Sequence, residues 1–387
     1  MSTSASADLG GLSLGGGGHL LLRRALTKVE PGERVTVTNG NETLHVDLPA
    51  WCRAEGHVLR GNEVEKGTAN RWAGAERAGT ASTPSADAPP TWGLAARGAR
   101  VEAGGPHFSY PLHERHEVWS DDAARLYAQA AAAQWDPAKA IPWSETPKLE
   151  AEVEDAVVQV MTYLVENETA ALQVPAAFVA RLHPHFREVM QLLAVQAADE
   201  ARHIEVFTRR ALLVRSEPGL STAGGQASLK TLLDEPDFAL ASCLLSVLGE
   251  GSFLSLLQFL RENAPDAVTR EVTKLAAQDE ARHVAFGLSH LQRHASHDAS
   301  LRGRLASAVE QRHRALAHTA GLNAEVFDAL VLLAAGSWEP AAIAAGFRRV
   351  QALERDMHEG RAMRLERLGF PRAEAERLAS LHTRNFM

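Results

Sequence analysis

The five residues Asp199-Glu-Ala-Arg-His203 recur unchanged at Asp279-Glu-Ala-Arg-His283. Both copies lie in long runs rich in Ala, Leu, Glu and Arg. Apolar residues in these runs recur at three- and four-residue steps, the spacing of amphipathic helices. Residues three apart share a helix face, so each copy presents a glutamate and a histidine together. The repeat therefore predicts two similar helices, each carrying a Glu-x-x-His pair.

Two upstream carboxylates extend this pattern. Glu250 lies in the otherwise apolar run 244–257, where a lone buried carboxylate is costly unless it is paired or bound to a metal. Before the first copy, Glu166 and Glu168 both lie in a predicted helix, and Glu168 continues its apolar face whereas Glu166 does not. We therefore expect Glu168 to be the functional carboxylate and keep Glu166 as the alternative.

Glu-x-x-His from two helices and one Glu from each of two others form a carboxylate-bridged two-metal site. Oxygen and nitrogen donors suit iron or manganese better than a thiolate-preferring metal. We expect two Fe ions, with Mn or a mixed Fe/Mn pair as alternatives. The predicted ligands, which are also the predicted catalytic residues, are Glu168, Glu200, His203, Glu250, Glu280 and His283.

Residues beside the ligands fit a supporting role. A metal-bound histidine usually donates its second ring N–H to a carboxylate. We expect Asp199 and Asp279 each to reach the histidine of the opposite copy, with Arg202 and Arg282 balancing their charge.

Composition bounds the class of protein. The chain has 387 residues, 45% of them hydrophobic and 23% charged, which is typical of a globular protein. Its net charge of −8 argues against a nucleic-acid partner. We find no signal peptide and no uncharged apolar run of about 18 residues, so we expect no membrane partner. Two cysteines, Cys52 and Cys243, cannot form a disulfide framework, and we expect a cytoplasmic protein.

The chain divides into four predicted regions, and the fold class is mainly α with a small N-terminal α+β domain. Residues 1–60 are predicted to contain a helix over 20–26 and a hairpin of strands 34–38 and 43–47 around Asn39-Gly40. Residues 61–118, rich in Gly, Ala, Ser, Thr and Pro, are predicted to be a linker and irregular segment. The two-metal helical bundle is predicted over 119–298, with additional helices packing on it over 299–387.

The duplicated motif resembles the ferritin-like di-iron carboxylate superfamily, above all bacterial multicomponent monooxygenases and ribonucleotide reductase small subunits. This resemblance implies a ferritin-like bundle that holds the six ligands named above and activates O2. Gln134-Trp-Asp-Pro137 is also similar to oxygenase-type members. Phe207 stands where a radical-generating reductase subunit carries a tyrosine, and Ala276 where arylamine N-oxygenases carry a further histidine.

The N-terminal region resembles the TusA-like sulfur-carrier fold, which implies the order βαββ and then αβ. The resemblance rests on Asp47-Leu-Pro-Ala-Trp-Cys-Arg53 and Gly56-His57-Val-Leu59. That family's reactive cysteine begins the first helix, where this chain has Gly15-Gly-Gly-Gly18. We therefore expect a degenerate carrier used for docking or binding, with Cys52 buried and inert.

Three functions remain open from the sequence. The leading hypothesis is a non-haem di-iron oxidoreductase, an oxygenase or hydroxylase that uses O2, a small-molecule substrate and an electron donor protein or other reductant. The alternative is a ferroxidase or iron-binding ferritin-like protein without an organic substrate, and the third is a non-enzymatic module with structural metals. An apolar channel would favour the first, an acidic path the second, and a closed site the third. The C-terminal helices are a candidate homodimer face.

Overall fold

A computed structural model describes residues 5–68, 72–317 and 324–381. The chain forms two compact units: Met1–Glu76 with Arg100–Gly105, and Arg77–Ala99 with Pro106–Met387. The prediction of a mainly α chain with a small α+β region is confirmed.

The first unit is a four-stranded sheet with two helices. Its elements in chain order are β1 (Ala5–Asp8), α1 (His19–Leu26), β2 (Arg34–Thr38), α2 (Leu44–Glu55), β3 (Val58–Arg60) and β4 (Glu63–Glu65). The strand order is β1-β2-β4-β3, with β1 parallel to β2 and the other neighbours antiparallel. Val35 pairs with Val64, and both are fully buried in the core of this unit. Two more short strands, β5 (Glu76–Arg77) and β6 (Arg100–Val101), pair with each other.

The predicted strand over 43–47 is wrong, because this stretch begins helix α2. Its alternating residues fit a strand, but Leu44, Leu48 and Cys52 also recur every four residues and pack in the core of the unit. Asn39 adopts a positive φ of 52° and turns the chain toward α2 rather than closing a hairpin. The observed order is therefore βαβαββ, not βαββ followed by αβ.

The second unit is helical. Its elements are α3 (Arg115–Val118), α4 (Ala123–Ala132), α5 (Ala151–Val179), α6 (Arg187–Ala211), α7 (Ala223–Leu233), α8 (Phe238–Ser242), a π-helical segment (Cys243–Glu250), α9 (Gly251–Glu262), α10 (Ala267–His297), α11 (Leu301–Leu316), α12 (Ala324–Ala335), α13 (Pro340–Arg367) and α14 (Arg372–Ala379). The run α8, π segment and α9 forms one helix interrupted in its middle. Helix α5 packs on α6, and the π segment and α9 pack on α10.

Buried polar contacts join the starts of α5 and α10 to the end of α6. Arg210 on α6 is fully buried and donates to the Glu154 carboxylate on α5 at 2.7 Å and to Asp266 at 2.9 Å. Asp266 in turn caps α10 by accepting from the Thr269 backbone N–H at 2.8 Å. This network sets the relative positions of α5, α6 and α10.

The segment before the bundle packs on the start of α6. The Arg97 guanidinium donates to the His185 carbonyl at 3.0 Å and to Glu188 at 2.9 Å. The Ser85 backbone N–H donates to the His185 ring at 2.9 Å. These contacts hold the N-terminal end of α6, the helix that carries the first copy of the motif.

By length and composition alone, the run Phe238–Glu262 is apolar enough to cross a membrane. Its apolar window is 83% buried inside the protein, as for a core helix. A second candidate, α12 with α13, is bent by 118° at its break. These two weak candidates are found within the described parts of the chain.

Candidate metal centre

Four helical segments bring all six predicted ligand side chains into one buried cluster. Each of the six is at most 4% exposed. Helix α5 contributes one residue, α6 two, the π segment one and α10 two; they are Glu168, Glu200, His203, Glu250, Glu280 and His283. Their donor atoms form two overlapping groups, and within each group all the atoms lie within 4.8 Å of one another.

The first group is built around His203. Its Nδ1 lies 3.4 Å from Glu168 Oε2, 3.2 Å from Glu200 Oε2 and 3.5 Å from Glu280 Oε1. The oxygens and the ring nitrogen thus converge on one point. Glu166 is half-buried and lies outside both groups, so Glu168 is the α5 carboxylate that faces the cluster.

The second group is built around His283. Its Nδ1 lies 3.0 Å from Glu200 Oε1 and 3.4 Å from Glu280 Oε2. Glu250 completes this group. Glu200 and Glu280 belong to both groups, so each of these carboxylates lies between the two points and is placed to bridge them.

The predicted crossed Asp–His contacts are confirmed. Asp279 Oδ2 lies 3.1 Å from His203 Nε2, and Asp199 Oδ2 lies 3.3 Å from His283 Nε2. Each aspartate therefore engages the ring nitrogen that faces away from the cluster. This contact holds Nδ1 toward the cluster and makes the ring a better electron donor.

Two arginines hold these aspartates, also as predicted. Arg202 donates to both, including a 3.1 Å bond to Asp279 Oδ2, and Arg282 donates to Asp279. The segment after α4 adds Gln134, which donates to Asp199 at 2.8 Å, and Trp135, whose indole donates to Asp279 at 2.9 Å.

Glu250 occupies the last position of the π segment. A π-helical turn inserts an extra residue into the α-helical ladder and often marks a functional site. The Glu250 carboxylate accepts a 3.0 Å bond from Gln196 on α6, and Ser246, one turn before Glu250, favours the charged form of this carboxylate and so partly offsets the rise in its pKa on burial. One side of this carboxylate is thus held by polar partners, and the other faces the cluster.

Several cluster atoms are buried without a hydrogen-bond partner. Within the described residues they are Glu168 Oε1, Glu200 Oε1, Glu250 Oε2, Glu280 Oε2 and His283 Nδ1. Such atoms carry the full cost of desolvation unless another group satisfies them. Two divalent cations would satisfy them and would match the four carboxylate charges. The residues present therefore fit a two-metal cofactor.

The pKa values of the clustered carboxylates also support a two-metal cofactor. Burial raises the pKa of Glu168 well above its usual value, and the Glu200 carboxylate raises it further. Burial also raises the pKa of Glu250, with the Glu280 charge adding to it. The pKa of Glu200 falls despite burial, because His283 and His203 favour its charged form. Without cations, protons must therefore compensate the cluster's negative charge.

Without cations, the surrounding carboxylates favour the protonated form of both histidines. Burial disfavours the charged imidazole of His203, but Glu168 and Asp279 outweigh burial and raise its pKa well above its usual value. Glu200 and Glu280 do the same for the pKa of His283. Cations entering the cluster would replace these protons.

A narrow apolar crevice runs beside Glu250. Its walls include Gln196, which donates to that carboxylate, and Ser246, and are otherwise almost entirely apolar, with Phe178, Phe238 and Phe286 among them. The cavity volume of about 10 Å³ holds roughly one water molecule. Phe207 lies close to the first group, its ring centroid 6.3 Å from that of His203.

No protein-family model matches this chain, and no curated protein matches it. Solved structures of R2-like ligand-binding oxidases are similar. One mutant with an aerobically reconstituted Mn/Fe cofactor gives a TM-score of 0.50 at 17% identity and covers 66% of this chain and 95% of that chain. Another, with an anaerobically reconstituted Mn/Fe cofactor, gives 0.50 at 18% identity and covers 64% and 94%. The helical unit of this chain therefore has the ferritin-like bundle fold.

Sequence reasoning missed some residues that support the cluster. Gln196 lies one turn before Glu200 on α6, and Ser246 one turn before Glu250. Polar residues four positions before a candidate ligand share its helix face, and that spacing was the available signal. Trp135 lies in the oxygenase-like stretch Gln134-Trp-Asp-Pro137, but nothing in the sequence places its indole on Asp279.

Proposed function

We propose that this protein is a di-metal oxidoreductase that activates O2, with the six clustered residues as ligands of two Fe ions or of a mixed Mn/Fe pair. The observation that carries the proposal is the pair of overlapping donor groups that share Glu200 and Glu280. Two such ions would supply the electrons that reduce O2.

The apolar surroundings support an oxygenase or hydroxylase of a small organic substrate. The crevice beside Glu250 has several aromatic and aliphatic walls and no charged residue among those that line it. This apolar lining favours an uncharged substrate over an acidic path for iron ions, and an organic substrate would bind only after the crevice walls move, because its volume of about 10 Å³ holds roughly one water molecule. Phe207 has no hydroxyl to oxidise, so no stable tyrosyl radical can form at this position.

Reducing equivalents would enter through Trp135. Its half-buried indole N–H donates to Asp279, which contacts His203 Nε2 at 3.1 Å. Arg202 lies over the indole ring, 4.8 Å from its centroid. This hydrogen-bonded chain links a partly exposed aromatic ring to a ligand of the first group, and we propose that an external electron donor acts here.

The proposal is tested by loading the protein with Fe²⁺ without oxygen and then adding O2. An oxygenase would oxidise about two Fe²⁺ per chain and then need a reductant and a substrate for each further O2. A ferroxidase would keep oxidising added Fe²⁺ with no reductant at all. Absence of O2 consumption by fully loaded protein would contradict both. Trp135→Phe should slow re-reduction by the donor and leave the first oxidation unchanged.

We propose that the N-terminal unit, although its order βαβαββ differs from the expected one, is a TusA-like module that has lost carrier chemistry. Burial raises the pKa of the Cys52 thiol to about 11, so this cysteine stays protonated near neutral pH. It is 1% exposed within the core of the unit, which confirms the expected buried cysteine. We propose docking or binding as the role of this unit, and deleting it should leave metal binding unchanged if that is correct.

A further inference from the structure

Two arginines on α13 contact the helix that carries Glu250. The Arg364 Nε donates to the Val247 carbonyl at 2.6 Å. The Arg361 guanidinium donates to Ser252 Oγ at 3.1 Å and is 3% exposed. Within the described residues, neither guanidinium forms a salt bridge, and one NH2 group of each is buried without a partner.

Glycines make room for Arg364. A Cβ at Gly251 would lie 2.4 Å from Arg364 Nε and 2.5 Å from its Cζ. A Cβ at Gly360, one turn before Arg364 on its own helix, would lie 3.0 Å from NH1. The guanidinium thus fills a slot between α9 and α13 that any side chain at position 251 would close.

The contacts fall where the helical ladder is interrupted. Two adjacent carbonyls of the π segment take side-chain donors: Val247 from Arg364, and Leu248 from the Ser252 hydroxyl at 2.8 Å. Because a π turn shifts the backbone bonds, a side-chain donor on one of its carbonyls helps to hold the local geometry. Glu250 is the last residue of that segment and follows both carbonyls directly.

Burying these two guanidinium groups without counter-charges lowers the stability of the fold. Stability alone therefore does not explain why they are there. Burial lowers the pKa of Arg364 to about 10, and burial together with the Arg364 charge lowers that of Arg361 to about 9. Buried charges without counter-charges are often less stable than apolar residues of the same volume. The directional hydrogen bond to Val247 is what an apolar residue could not supply.

We propose that Arg364, supported by Arg361, is a positioning residue that holds the π segment so that Glu250 faces the second donor group. This inference rests on the proposed two-metal function. It predicts an asymmetric effect, since Glu250 belongs only to the group around His283, whereas Glu168 belongs only to the group around His203.

The test compares Arg364→Met with Arg364→Lys, and with Arg355→Met as an exposed control on the same helix. Mn²⁺ binding is measured by equilibrium titration, and backbone hydrogen exchange is measured on the metal-free proteins. We expect Arg364→Met to lower the affinity for one of the two Mn²⁺ ions about 10- to 100-fold and to leave the affinity for the other unchanged. In Arg364→Met, the backbone amides over 243–252 should also exchange faster. Arg364→Lys should recover most of the lost metal affinity, and Arg355→Met should match wild type.

An equal loss of affinity for both ions would overturn the proposal, because it would indicate general destabilisation. Unchanged binding with unchanged exchange would overturn it too. If wild-type protein binds no Mn²⁺ or Fe²⁺, the proposed function fails, and exchange over 243–252 alone then decides the positioning role. Should Arg364→Met not fold, Gly251→Ala displaces the same guanidinium while keeping the arginine, and the same two outcomes apply.

Discussion

The crossed aspartates allow a selective perturbation of one donor group. Three donors converge on Asp279 Oδ2: the His203 ring at 3.1 Å, the Trp135 indole at 2.9 Å and Arg202 at 3.1 Å. Arg282 donates to the other oxygen. In Asp279→Asn the amide oxygen can stay with the three donors, but the charge that strengthens the His203 bond is lost.

The expected loss follows from that bond. Removing the partner of a metal-bound histidine typically costs 10- to 100-fold in metal affinity, or about 1.4–2.7 kcal/mol. A hydrogen bond to a charged group is worth about 1.5–3 kcal/mol, which agrees. Because Asp199 orients His283 instead, Asp199→Asn should affect the second group by a similar factor and the first by little.

The two groups can be measured one at a time. In a Glu250→Gln background, the intact group is the one around His203, and Asp279→Asn should weaken Mn²⁺ binding about 10- to 100-fold there. In a Glu168→Gln background, Asp199→Asn should have that effect instead. Calorimetric titration gives each affinity directly. Equal effects of both aspartate variants in both backgrounds would refute the crossed-support reasoning.

The remaining predictions concern protons and stability. The pKa values of His203 and His283 are raised in the cation-free state. Metal binding near pH 7 should therefore release one proton from each of the two imidazolium rings, and metal affinity should rise with pH through the neutral range. Titration in two buffers of different ionisation enthalpy counts these protons, and no release would contradict the assignment. Separately, Arg210→Met strands the Glu154 carboxylate and should lower the free energy of unfolding by about 3–5 kcal/mol in urea denaturation. Arg215→Met, whose exposed partner is Asp155, is the control and should leave the free energy of unfolding close to that of wild type.

The cluster was predictable from sequence because helical periodicity and an internal repeat both bear on it. The two motif copies fix four of the six side chains on two helix faces, and the apolar context of Glu250 makes an unpaired carboxylate there improbable. Glu168 could be preferred to Glu166 because only one of them continues the apolar face. Each of these arguments is local to one helix.

The rest depended on contacts that no local pattern reports. The sequence of 243–250 does not distinguish an α-helix from a π-helix, because its Leu, Val and Ser residues are compatible with both. Arg361 and Arg364 lie more than a hundred positions from the carbonyl and hydroxyl that they hold. In the first unit, residues 43–47 satisfy a strand pattern, and only the four-residue recurrence of Leu44, Leu48 and Cys52 favours the helix.

The most direct test of the two-metal account is metal content after anaerobic loading with Fe²⁺ and removal of free metal. Wild-type protein should hold about two ions per chain. Glu200→Ala and Glu280→Ala, which each remove a carboxylate shared by both groups, should lose both ions, while Glu168→Ala should keep one. If Glu200→Ala and Glu280→Ala both retained a full complement of metal, the six side chains would not be the ligands and the account would be wrong.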